Sequence, residues 1–134
     1  MKKRIKVKPC TDKSRFVIHN HYATNHHYDF RLEKFGTLKS WAVPKGLPLK
    51  PNEKRLAIQT PNHPLSYISF EGTIPKGQYG AGTVTIADYG CYEPKLWNDK
   101  KIEFVLFGRK YKGKYIMIHL RNNDWLIIKG NDVS

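Results

Sequence analysis

The chain has 134 residues and a mass of 15.6 kDa, enough for one compact domain and too short for two. Hydrophobic residues at 40% and aromatic residues at 13% exclude a disordered chain, and no apolar run approaches the roughly 18 residues a spanning helix needs. Lysine and arginine number 24 against 11 acidic residues, a net charge of +13, which points to a polyanionic partner: nucleic acid or an anionic membrane surface.

Residues 1–15 read as a basic arm, either solvated or in contact with phosphates, ahead of a single domain over 16–134. No apolar segment follows the arm, so a secretory leader is not expected. Cys10 and Cys91, with no CxxC pair, are read as two thiols in a reducing cytoplasm, a disulfide between them being the alternative. From Phe16 the chain reads as eight short strands: 16–18, 27–33, 38–43, 56–59, 82–87, 102–107, 115–120 and 125–129. All are rich in β-branched and aromatic residues. Turn residues separate them, among them Gly36, Pro44-Lys45-Gly46, Gly90 and Asn122-Asn123-Asp124. No segment of eleven residues holds a 3.6-residue apolar period. The expectation is a mainly β fold, a small closed antiparallel barrel of about eight strands with little helix.

Four of the six histidines fall between His19 and His27. On a strand over 27–33, alternation places His27, Asp29, Arg31 and Glu33 on one face and Tyr28, Phe30 and Leu32 on the other. The second set is a core face. The first aligns an imidazole, a carboxylate and a guanidinium at intervals of roughly 6.6 Å. Imidazole and carboxylate suit borderline divalent metals, with His21 as a third ligand across a turn at 23–25, and Arg31 would hold a phosphate oxygen beside the metal. His19 and His26 are weaker candidates, behind the ligands or simply exposed.

Lys45 in its turn and Arg55 at a strand start supply further positive charge. His63, in a loop bracketed by prolines, has Tyr67 four residues on and could exchange a proton. The stretch from Pro75 to Thr83 lacks the order of a phosphate loop and is read as a glycine-rich turn between strands. Trp41, Trp97 and Trp125 are mostly core, though one or two could stack on an unpaired base.

The blocks HNHYATNHHYDFRLE, LKSWAVPKG, KRLAIQTPNHPLSY and FEGTIPKGQYGAGTV, in this order, resemble the 3′-phosphoesterase domain of bacterial ligase D. The resemblance is dense from Phe16 to Val84 and looser beyond. It implies a small β-barrel and a Mn²⁺-dependent enzyme, with Co²⁺ among possible substitutes, that acts on a DNA primer-template. Such an enzyme removes a 3′-terminal ribonucleoside and then the 3′-phosphate, leaving a hydroxyl. Carried over by position, His21, His27 and Asp29 are the metal ligands, and Arg31, Lys45 and Arg55 hold the scissile phosphate. His63 acts on the phosphate or the leaving oxygen, supported by Tyr67. A separate ATP-dependent DNA ligase, Ku-like end-joining proteins and a cytoplasmic, nucleoid-associated location complete what is implied.

Two departures stand out. An acidic pair often precedes the family's His-Pro-Leu motif, where this chain has Pro61-Asn62, and only Asp12 and Arg15 stand in for the acidic and arginine residues upstream of the core. The alternatives are a non-catalytic barrel that grips single strands or 3′ ends, and an iron oxygenase, whose facial triad also uses two histidines and a carboxylate.

Overall fold

Alternation along the strands sorts the side chains into a dry interior and a polar outer face. A computed structural model describes Cys10 and residues 14–131. Nine strands carry this part of the chain: β1 (Arg15–Tyr22), β2 (His26–Lys34), β3 (Thr37–Val43), β4 (Lys54–His63), β5 (Gly72–Ile74), β6 (Gly82–Trp97), β7 (Lys101–Phe107), β8 (Lys112–Arg121) and β9 (Asp124–Lys129). One 3₁₀ turn spans Leu65–Ser69. All pairings are antiparallel, in the order β1-β2-β3-β4-β9-β8-β7-β6, and β6 pairs back onto β1. Eight strands therefore close a barrel, as expected, and β5 is a short ninth strand on β6. Closure leaves the barrel strands without a long open edge.

Inward-facing residues from successive strands meet in one cluster: Phe16 and Ile18 of β1, Phe30 and Leu32 of β2, Trp41 and Val43 of β3, and Phe104, Tyr115, Trp125 and Ile127 opposite them. Phe30 sits 5.7 Å from Phe104 and 6.3 Å from Trp41, ring centre to ring centre, while Trp41 meets Trp125 edge-on at 5.8 Å. Burying each such side chain contributes about 1.5–3 kcal/mol, so this interior fixes the register of the outward-facing set.

Several expectations are corrected. β1 runs on to Tyr22, so His19 and His21 are strand residues, and β4 runs to His63, which ends a strand rather than lying in a loop. Gly90, expected to turn the chain, lies inside the 16-residue β6. A Cβ there would come within 2.4 Å of the Phe107 carbonyl, so glycine marks a close approach of β7 rather than a bend. Pro94 continues the same strand at a register shift, where a missing N–H is tolerated. Cys10 and Cys91 are not free thiols but form a disulfide, their Cα atoms 5.1 Å apart. The bridge closes a separation of 81 residues. On the chain-entropy account it stabilises the fold by roughly 4 kcal/mol, by restricting the unfolded chain. Most of the basic arm, Asp12 included, lies outside the described residues.

Candidate functional site

Because Tyr28, Phe30 and Leu32 point inward, β2 turns His27, Asp29, Arg31 and Glu33 outward, as its alternation predicts. Across β1, His21 faces His27 and His19 faces Asp29; across β3, Arg31 faces Ser40. This outer face is not bathed in solvent: His19 is 0% exposed, Arg31 3% and Asp29 6%. The segment after β4, with Tyr67 and Phe70, and the glycine-rich turn that joins β5 to β6 approach it. Between them remains a cleft of about 620 Å³ lined by His21, His27, Asp29, Arg31, His63 and Tyr67.

At one end of the cleft one ligand atom each from His21, His27 and Asp29 lies within 4.8 Å of the others. His21 Nδ1 is 3.0 Å from Asp29 Oδ2, and His27 Nε2 is 3.2 Å from Asp29 Oδ1. The opposite ring nitrogens face backbone oxygens. His21 Nε2 lies 2.9 Å from the Gly80 carbonyl and 3.1 Å from that of Ala81; His27 Nδ1 lies 3.1 Å from that of Asn25. A metal-binding imidazole typically donates its second N–H to a carbonyl, which aims the other lone pair at the metal. Both histidines have that arrangement, aimed at one carboxylate, so the donor set fits a divalent transition metal. Burial alone would raise the Asp29 carboxyl, but the His27 hydrogen bond and the Arg31 charge outweigh it and hold it below its ordinary value. The hydrogen bond to Asp29 raises His27.

Arg31 occupies the centre. Its Nε donates to His19 Nδ1 at 3.1 Å, Nη1 donates to Ser40 Oγ at 2.9 Å and to His63 Nδ1 at 3.1 Å, and Nη2 lies 3.3 Å from Asp29 Oδ2. The guanidinium also lies over the Tyr67 ring, 5.0 Å from its centre. His19 passes its other nitrogen, Nε2, to the Phe70 carbonyl at 3.1 Å. Burial, and then the Arg31 charge, lower His19 to about 4, so it is a neutral acceptor. The same two causes lower His63. Tyr67 packs 4.8 Å from the His63 ring and stacks on Phe70 at 4.8 Å, and burial raises its phenol, which stays protonated.

Six of the eight sequence-predicted residues are therefore gathered in one cleft. Lys45 and Arg55 are not: neither lines it. Lys45 is exposed in the turn after β3, and Arg55 donates to the Lys45 and Gly46 carbonyls and to Glu53 Oε2. Arg15 is likewise engaged elsewhere, with Glu33 at 2.7 and 3.0 Å. Exposed His26 stacks on Tyr22. Pro61 and Asn62 form the bulge between the Ser40–Thr60 and Leu38–His63 pairs. With this one extra residue His63 comes opposite Leu38, and its Nδ1 lies 3.1 Å from Arg31 Nη1.

Sequence reasoning missed Ser40 and the Gly80 and Ala81 carbonyls, and ranked His19 too low. The signal for Ser40 was pairing register, since it sits directly opposite Arg31.

Residues 19–119 match the DNA Ligase D 3′-phosphoesterase domain. The chain is 46% identical over 125 residues to the multifunctional non-homologous end joining protein LigD of Mycobacterium bovis, covering 90% of this chain and 16% of that protein. It is 43% identical over 134 residues to the LigD of Pseudomonas aeruginosa (93% and 16%) and 42% over 129 residues to that of Mycolicibacterium smegmatis (88% and 17%). It thus spans about a sixth of the length of these relatives.

Proposed function

Since the chain belongs to the DNA ligase D 3′-phosphoesterase domain family, we propose that it heals DNA 3′ ends for non-homologous end joining. In this reading it removes a 3′-terminal ribonucleoside as a phosphodiesterase and then the 3′-phosphate as a phosphomonoesterase. The observation that carries the reading is the contact between the His21–His27–Asp29 cluster and a buried arginine held on three sides. His21, His27 and Asp29 would hold Mn²⁺, or Co²⁺ in its place, which when bound supplies Lewis-acid polarisation of a phosphate oxygen.

The chain's own residues supply the rest. Arg31 is positioned before substrate arrives, because His19, Ser40 and Asp29 fix its planar fork, so it neutralises charge developing on the phosphoryl group with little reorganisation. His63 Nδ1 lies 3.1 Å from Arg31 Nη1 and 3.0 Å from the Pro61 carbonyl; in the tautomer that accepts from Arg31, its Nε2–H hydrogen-bonds the departing oxygen and stabilises the charge that develops there. Tyr67 packs beside His63 and restricts where that ring can turn. Lys45 and Arg55, which do not line the cleft, would meet phosphates of the bound strand beyond it, Lys45 as an exposed ammonium and Arg55 from its pairing with Glu53. A separate ATP-dependent ligase and Ku-like proteins are the expected partners, in the cytoplasm at the nucleoid. No helix among the described residues is long and apolar enough to cross a membrane.

The test uses a 5′-labelled primer on a longer template, ending in one ribonucleotide or in a 3′-phosphate, incubated with protein and Mn²⁺. Shortening at the ribonucleotide and conversion of the phosphate, both lost in EDTA and in His27→Ala, are expected on a sequencing gel. Turnover by His27→Ala would sink the ligand assignment. A native-gel shift with no change at either end would favour the non-catalytic barrel.

A further inference from the structure

A second cleft, of about 550 Å³, opens where the β2–β3 hairpin meets the β6–β7 turn. Its walls are mostly aromatic, with Phe35, Trp97, Trp125 and His119 above Trp41, and Lys39 and one carboxylate, Asp99, also line it. His119 stacks on Trp125 at 4.7 Å, and Phe35 meets Trp97 edge-on at 6.1 Å. None of these residues touches the His21–His27–Asp29 site, and the chemistry proposed above uses none of them.

Phe35 is the unusual residue. It is 72% exposed, at a position where its ring gains little from burial. Its φ is +55°, and that of Gly36 is +75°. A two-residue hairpin turn with both φ values positive favours Asn-Gly, and a bulky aromatic at the first position is a conformational outlier. Strained backbone of this kind concentrates at ligand-binding positions. The chain holds an exposed ring in an unfavourable conformation beside a cleft. Two cations attend it: Lys34 Nζ is 5.1 Å from the centre of the Phe35 ring and 5.4 Å from that of Trp97, and Lys39 Nζ is 5.7 Å from Phe35. The Trp41 indole N–H, buried under the cleft, has no acceptor among the described residues.

Flat apolar walls with flanking ammonium groups match one ligand chemistry: an unpaired nucleobase stacked on the rings, its phosphate met by the lysines. We infer that this cleft is a second nucleic-acid subsite, which takes an unpaired nucleotide of a single-stranded segment. It adds a binding surface to the proposed function and does not depend on it, because binding is read without cleavage. Phe35 follows directly on β2, four residues after Arg31, so their backbones lie at most roughly 13 Å apart. One nucleic-acid molecule can reach both sites.

The variant that isolates the ring is Phe35→Asn, because asparagine accepts positive φ and the turn should fold at least as well. Fluorescence anisotropy of a labelled twelve-residue oligo-dT, with and without its complement, is the measurement. Phe35→Asn is expected to weaken single-strand binding by about tenfold, within the range for one lost base–aromatic stack. Blunt-duplex binding should change less than twofold, with melting temperature unchanged or raised. Trp97→Ala should show the same selectivity. Equal single-strand binding by wild type and both variants, equal losses on single strand and duplex, or no single-strand binding by the wild type would each overturn the inference. So would dimerisation of the wild type, seen by sedimentation and abolished by Phe35→Asn, which would make the cleft a contact between copies.

Discussion

Arg31 shows how a charged group is kept productive inside a protein. Stripping its water is costly, and burial alone lowers it from its ordinary value, so its N–H groups must find partners. His19, Ser40, His63 and Asp29 provide them, and His19 does so because it is neutral. That neutrality has a measurable cost in acid. With His19 near 4 in the folded state and near 6.5 unfolded, the unfolded chain binds the extra proton first. Stability is therefore full above about pH 6.5 and falls as the pH drops towards 4, by about 3 kcal/mol from this residue. Chelated wild-type protein should lose melting temperature steeply over that interval, and His19→Phe should show a shallower slope. His27 titrates in both proteins and cancels in the difference. Parallel slopes would mean that His19 is not held neutral. Period-two alternation made His27, Asp29 and Arg31 legible as one face. The support behind them was not, because the Phe70 carbonyl reaches His19 across 51 residues of sequence.

Among the elements, β6 was read least well. Composition revealed its first half, but glycine and proline suggested a break that pairing overrides. The Phe107 carbonyl occupies the space a Cβ would need at Gly90, and β6 pairs with both β1 and β7 at Cys91. Gly90→Ala should force β7 away, at about 1–3 kcal/mol, and lower the melting temperature by roughly 5–12 °C. Thermal melts decide this, and an unchanged midpoint would show that the two strands can separate freely there. The missed β5 has three residues, too few to carry a periodic signal. The placement of His63 was hidden for a related reason: a bulge at Pro61 and Asn62 is defined by the partner strand, and the local sequence resembled a loop.

For the whole molecule, charge and topology were the most legible features. Turn residues between apolar runs implied a closed eight-stranded barrel, which the β1–β6 pairing completes. A net charge of +13 implies that the proposed DNA binding is driven largely by counterion release. On logarithmic axes, affinity for duplex should fall with salt by a slope of about −0.9 for each phosphate neutralised. Removing the proposed phosphate contact of exposed Lys45 by Lys45→Ala should make the slope shallower by about 0.9, and a slope equal to wild type would place Lys45 away from the bound strand. The cysteine pairing, by contrast, was not legible, since two residues 81 apart in sequence give no local sign of meeting.

The route of the chain through the barrel also governs when the protein can work. Every residue gathered in the first cleft lies between His21 and Ala81, so the cleft residues leave the ribosome before β6 to β9 do. Yet β4 finds its second neighbour only in β9, and β1 only in β6. Such distant pairings form late and slowly. A nascent chain that has extruded every residue of that cleft still has an open sheet, and the proposed activity must wait until Asp124–Lys129 has been made and docked.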